Sequence, residues 1–169
     1  MKIPVCAIFD IGKTNKKLFF FNENYEIVFE KSMQFLETQD EDGDPCEAIF
    51  LLKNWLKNTW DEVNRLPNVT IKALNFSTYG ATFAHLDAEG KLLTPLYNYL
   101  KAYPETLKKQ FYATYGGETN VATQTASPVL GSLNSGMVLY RLKYEKPAVF
   151  NAIYRSLHLP QYVSFLFSG

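Results

Sequence analysis

The chain has 169 residues with 17 basic and 17 acidic side chains, so no basic field is available to attract nucleic acid or an acidic membrane surface. Hydrophobic residues make up 47% and aromatics 15%, enough for a substantial core in a chain of ordinary domain size. No apolar stretch approaches the about 20 residues that span a bilayer, and the N-terminus runs straight into a strand without a secretory signal, so a cytoplasmic location is expected.

Val5 to Phe9 is an apolar run short enough for a buried strand, and Leu18 to Phe21 is a second, so the polar residues between them form the connection. Gly12 lets the backbone come close to a ligand, and the amide groups around it can face phosphate oxygens. Asp10, at the end of the first strand, is placed either to hold a magnesium ion, directly or through water, or simply to cap the turn. Gly12-Lys13-Thr14 also looks like the tail of a P-loop. That motif needs an earlier glycine where Ala7 stands, and a helix afterwards where Lys17 to Phe21 reads as strand.

Tyr25 to Phe35 predicts a third strand and Gln39 to Asp44 an acidic loop. Asp44 as N-cap, Pro45 at the first position and Glu47 at the third then predict a helix start. Ala48, Leu52, Trp55, Leu56, Val63 and Leu66 recur at helical spacing and mark its buried face. Pro67-Asn68 ends that helix. Thr70 to Asn75 predicts a fourth strand before a Ser77-Thr78-Tyr79-Gly80 turn. Phe83 to Leu86 predicts a fifth, and Asp87-Ala88-Glu89-Gly90 a hairpin turn leading to Leu92-Leu93.

From Pro104 onward helices are predicted, over Pro104 to Tyr115, Asn134 to Tyr144, Pro147 to Leu157 and Pro160 to Phe167. The last is strongly apolar, with Tyr162, Val163, Phe165, Leu166 and Phe167, and Gly169 stands where a C-terminal cap would. A natural domain seldom stops there, so the helix is expected either to pack entirely on what precedes it or to leave apolar surface exposed, and in the second case to favour self-association into a homo-oligomer. Three strands, a helix, then strand and helix is the order of a ribonuclease-H-like unit, an α/β architecture. No repeat or low-complexity segment occurs.

Few other residues point to chemistry. Cys6 and Cys46 have no metal-ligand spacing and read as reduced core thiols. Asn68-Val69-Thr70 and Asn75-Phe76-Ser77 match the glycosylation pattern, which has no meaning for a chain expected in the cytoplasm. His85 and His158 read as core histidines, and no serine-histidine-acid arrangement is in view. Tyr79, Tyr97 and Tyr99 could be core aromatics or could stack on a sugar ring.

Three segments together resemble the FGGY carbohydrate kinases. Asp10-Ile11-Gly12-Lys13-Thr14 is similar to their first phosphate loop, a feature of the actin-like ATPase superfamily. Ser77-Thr78-Tyr79-Gly80-Ala81-Thr82-Phe83 with Leu86-Asp87, followed by Gly90-Lys91-Leu92-Leu93 and Pro95-Leu96-Tyr97-Asn98-Tyr99, resembles their sugar-binding strand and loop, most of all in the rhamnulokinase and fuculokinase branch. Leu159 to Gly169 resembles the helix that follows. The resemblance implies an actin-like ATPase domain, a mixed sheet with flanking helices that is incomplete at the C-terminus, with residues 1–169 as the N-terminal part of the first domain and the second domain absent.

By the same resemblance the activity is phosphoryl transfer from ATP, with Mg2+, to a sugar hydroxyl. A non-catalytic sugar- or nucleotide-binding module is the alternative. Gly12, Lys13, Thr14, Asn15 and Lys17 would line the ATP phosphates, Asp10 would stand on the metal side, and Tyr79, Gly80, Ala81, Thr82, Tyr97 and Asn98 would meet the sugar. The family's catalytic aspartate would lie beyond Gly169. Many relatives place an arginine where Lys17 stands, and relatives often have a charged or strongly polar residue near Ala81 and an Asp-x-Arg where this chain has Lys101-Ala102-Tyr103. Lysine keeps the charge of arginine and loses its fork.

Overall fold

Alternation along the first strand sets the central sheet. In β1 (Ile3–Ile11) the side chains of Val5, Ala7, Phe9 and Ile11 are buried, while Cys6, Ile8 and Asp10 are half-exposed on the other face. β2 (Asn15–Phe21) returns antiparallel with Asp10 opposite Lys17 and Ile11 opposite Lys16, and β3 (Ile27–Gln34) follows antiparallel on β2. β6 (Val69–Thr78) runs parallel to β1 on its other side, giving the mixed order β3-β2-β1-β6.

The computed structural model describes residues 2–169, which divide into two units. The first contains residues 2–39, 46–80 and 159–169. Its core lies between the sheet and two helices, α1 (Ile49–Val63) and α6 (Leu159–Ser168). Leu52, Trp55, Leu56, Thr59 and Val63 form the buried stripe of α1. Phe9 is where both helices meet the sheet: Trp55 approaches it edge-on at 5.4 Å between ring centres, and Phe167 at 5.8 Å. Phe167 also touches Phe76 at 5.2 Å and Trp60 at 5.7 Å.

The last helix packs largely on what precedes it, one of the two alternatives that the sequence left open. Leu159, Tyr162 and Val163 of α6 are buried, and Phe165, Leu166 and Phe167 are half-buried. The helix therefore leaves no large apolar side chain fully exposed. Large exposed apolar side chains of this unit lie elsewhere, at Tyr25, Ile27, Leu36 and Phe50.

The second unit contains residues 40–45 and 81–158. β7 (Phe83–Leu86) pairs antiparallel with β8 (Arg155–His158), and α2 (Glu105–Thr114), α3 (Glu118–Thr125), α4 (Ser135–Glu145) and α5 (Pro147–Ala152) surround a core of Ala84, Leu86, Leu96, Tyr112, Met137, Tyr140 and Leu142. The Asp87–Gly90 turn forms as expected: the Gly90 N–H donates to the Asp87 carbonyl at 3.2 Å, and Leu92 bridges back to Leu86. Gly90 has φ +78°, a left-handed conformation that favours glycine.

The structure departs from expectation in four places. α1 starts at Ile49 with Ala48 as an N-cap that makes no side-chain hydrogen bond. Asp44 instead faces Lys101, Glu47 is buried against Lys16, and Pro45–Cys46 is extended as β5, after the equally short β4 (Thr38–Gln39). The two acids expected to cap the helix are thus drawn off by lysines. The helix from Pro147 stops at Ala152, and Arg155–His158 becomes the strand that satisfies the backbone of β7, with the Tyr154 N–H donating to the Leu86 carbonyl at 2.8 Å. α3 has no buried residue, so it carries no apolar periodicity to read. β6 continues through Ser77 and Thr78, leaving only Tyr79 and Gly80 outside the strand.

Candidate functional site

The Gly12–Asn15 turn is closed by the Gly12 N–H donating to the Asn15 carbonyl at 2.9 Å. A Cβ built on Gly12 would lie 3.0 Å from that same carbonyl oxygen, so any other residue makes the turn give by a few tenths of an ångström, and close approach favours glycine here. Thr14 and Asn15 are exposed and Gly12 and Lys13 half-exposed. Asn15 accepts a hydrogen bond from Gln34 at 2.6 Å, and Lys13 lies 3.5 Å from Glu37. Asp10 and Lys17 face each other across the ladder on the same side of the sheet. The Lys17 ammonium pairs with Glu30 at 2.9 Å and lies 5.3 Å from the Phe19 ring.

The Asp10 carboxylate makes no hydrogen bond or ion pair with the described residues, and it is half-buried at a strand end. An oxygen donor left open in this way fits a hard cation that keeps part of its water shell.

Beneath the turn lies a buried charge that the sequence reading passed over. Lys16, only 1% exposed, points to the helix side of the sheet in phase with Leu18 and Phe20. Its ammonium lies 3.0 Å from Glu47 Oε1 and 3.1 Å from Oε2, and donates to the Lys13 carbonyl at 2.8 Å. The Tyr79 hydroxyl donates to Glu47 Oε2 at 2.7 Å. The signal was available: a lysine at an apolar position of a buried strand needs an acid, and Glu47 is in reach.

Of the residues expected to meet a sugar, Tyr79 and Gly80 belong to the first unit, and Ala81, Thr82, Tyr97 and Asn98 to the second. Thr82 is buried, and its hydroxyl donates to the Tyr97 carbonyl at 3.0 Å. Ser135 donates to the Ala81 carbonyl at 3.1 Å. The Tyr97 hydroxyl meets Glu41 and accepts from Lys146 at 3.1 Å, and Asn98 Oδ1 accepts the Leu100 N–H at 2.9 Å. Tyr97 and Asn98 also line a cavity of about 30 Å³ with Lys101, Arg141 and Lys146. That volume holds a water or two rather than a sugar ring.

At this cavity Lys101 sits among three aspartates, 2.5 Å from Asp40, 2.7 Å from Asp42 and 3.1 Å from Asp44. These carboxylates are close enough together to hold a metal ion, and the cation that occupies their centre is the lysine itself. Burial alone would raise the Asp40 carboxyl, but the Lys101 hydrogen bond and the backbone N–H groups of Asp42 and Asp44 outweigh it and hold it below 3.8. Burial likewise works against the Lys101 charge, and its three acids outweigh it and raise the ammonium above 10.5.

His85 is fully buried. Its Nδ1 shares a hydrogen bond of 2.9 Å with Ser156, its Nε2 has no partner among the described residues, and burial pushes it down to about 4. It is therefore a neutral core histidine near pH 7. His158 lies at the end of β8, its ring 4.4 Å from that of Phe83.

No family model matches the sequence, and no curated protein matches it. Solved structures do match. A carbohydrate kinase from Novosphingobium aromaticivorans aligns with a TM-score of 0.83 at 20% identity, over 98% of this chain and 34% of its own. A gluconate kinase from Lactobacillus acidophilus gives 0.80 at 19% identity, over 97% and 33%. Plasmodium falciparum glycerol kinase, solved with ADP, gives 0.72 at 18%, over 89% and 30%. The chain thus has the carbohydrate-kinase form of the actin-like ATPase fold, a mixed sheet with flanking helices, and spans about a third of the length of these neighbours.

Proposed function

We propose that the chain is the N-terminal part of an ATP-dependent carbohydrate kinase, with a second domain in the complete protein. The observation that carries this reading is the β1–β2 hairpin, where Asp10, the close-approach glycine Gly12 and the exposed Thr14 lie together on a fold shared with carbohydrate kinases. Phosphoryl transfer in such a site is mostly positioning and charge stabilisation. Gly12 to Asn15 would offer amides and a hydroxyl to the phosphates, and Lys13 and Lys17 positive charge. Asp10 would hold Mg2+, which when bound neutralises phosphate charge. Tyr79 to Thr82, Tyr97 and Asn98 would orient the sugar. The catalytic base would come from the sequence beyond Gly169.

The sequence resemblance favours the rhamnulokinase and fuculokinase branch, and so a ketose such as a deoxy-ketohexose. A panel of free sugars with ATP and the complete protein tests this. Phosphorylation of one sugar, nearly abolished by Asp10→Ala, is expected; an unchanged rate in that variant removes the aspartate from the mechanism. A non-catalytic module is the second reading, favoured by Ala81, which offers no side-chain hydrogen bond where relatives are polar. No phosphorylation of any sugar would select it.

A further inference from the structure

We propose that Lys16, Glu47 and Tyr79 are positioning residues that fix the Gly12–Asn15 turn, so that one buried carboxylate sets both the phosphate-facing backbone and the end of β6. The inference rests on the kinase reading for what the turn binds. Lys16 is not itself a phosphate ligand. Its ammonium is buried and surrounded by both Glu47 oxygens, the Lys13 carbonyl and the Phe35 ring, 5.8 Å away.

What Lys16 controls is the Lys13–Thr14 peptide. In a trans peptide the carbonyl and the following N–H point in opposite directions, and no cis peptide occurs among the described residues. Holding the Lys13 carbonyl inward at 2.8 Å therefore turns the Thr14 N–H outward, at an exposed residue of the turn. A donor fixed before the ligand arrives costs no reorganisation on binding.

Glu47 holds Lys16 in turn, and the Tyr79 hydroxyl holds Glu47 Oε2 at 2.7 Å. Tyr79 directly follows β6 and opens the stretch expected to reach the sugar. The chain of contacts thus runs from the end of β6, through a carboxylate and an ammonium, to one peptide of the phosphate turn. All of its members lie in the first unit.

The test uses Tyr79→Phe, Glu47→Gln and Lys16→Met in this chain, read by amide exchange at Gly12 and by the Thr14 amide shift, with Leu18 and Phe20 as references in the same sheet. Tyr79→Phe should speed Gly12 exchange about five-fold, the loss of one ordinary hydrogen bond, and move the Thr14 amide, with Leu18 and Phe20 unchanged. Glu47→Gln should do so more strongly. Unchanged Gly12 and Thr14 in Tyr79→Phe, or equal acceleration at Gly12, Leu18 and Phe20, overturns the proposal. Tyr79→Phe decides the matter even if Lys16→Met fails to fold. In the complete protein, Glu47→Gln should raise the KM for ATP about ten-fold more than it lowers kcat, since it disturbs the phosphate turn and not the reacting atoms; a loss confined to kcat counts against the proposal. If the unaltered complete protein phosphorylates no sugar, the kinase reading fails by itself, and the exchange result still decides whether the three residues set the turn.

Discussion

Gly12 earns its place through an absent side chain. Its Cβ position is 3.0 Å from the Asn15 carbonyl that its own N–H binds, so Gly12→Ala must spread the turn. Destabilisation of about 1–3 kcal/mol, as for other overpacked sites, should appear in urea unfolding, together with weaker Mg·ATP binding. Ala7→Gly, which would restore only the missing P-loop glycine, should not improve binding. The sequence made Gly12 legible because it stands alone between two apolar runs. It hid Lys16, since three nearby lysines look alike until strand phase assigns one of them to the core.

His85 gives the residue scale a pH dependence. Its ring is neutral in the folded chain, burial having pushed it from 6.5 to about 4. Between these values the unfolded chain binds a proton that the folded chain does not, so stability is fully present above 6.5 and falls as pH drops towards 4. The loss is roughly 3 kcal/mol at most. Titration of the His85 ring by NMR, with unfolding at pH 7 and pH 5, checks it; a ring that titrates near 6.5 in the folded chain refutes it.

At the scale of elements, the acidic loop before α1 shows how tertiary partners override local signals. Asp44, Pro45 and Glu47 have the residue types of a helix start, yet α1 begins at Ile49, because a buried or half-buried lysine offers each acid more than a free amide does. Lys101 is the anchor of that loop, with a side chain 6% exposed against a fully buried Asp40 carboxylate. Lys101→Met leaves this acid buried without its counter-ion, with the Asp42 and Asp44 N–H groups still donating to it, at a cost of about 3–5 kcal/mol near pH 7. The sign then reverses with pH. In the unaltered chain the depressed Asp40 contributes stability above 3.8 that is lost as pH falls, whereas in the variant burial prevails and protonation relieves it. The two stability curves should converge below pH 4, and parallel curves would show that Asp40 is not the group left exposed to the loss. The strand β8 escaped the sequence for a related reason: Arg155–His158 forms a strand because β7 needs a partner, which no local pattern announces.

The molecule as a whole divides into a sheet unit carrying the Gly12–Asn15 turn and a mainly helical unit, and its neighbours are about three times as long. The central sheet was legible from alternation and from the turn residues; the second unit was less so, because its helices are short and one has no buried face. Under the kinase reading, closure of a second domain would exclude water and strengthen each contact to the nucleotide. The 169 residues alone offer one side of that arrangement: a backbone turn, Asp10, and lysines already paired to Glu37 and Glu30. The isolated chain should therefore bind Mg·ATP weakly, with a Kd of roughly 1 mM or above, and phosphorylate no sugar. Calorimetry and a coupled kinase assay measure both, with thermal unfolding to show that the chain is folded. Micromolar affinity in this chain would mean that the turn and its surroundings already make a complete nucleotide site.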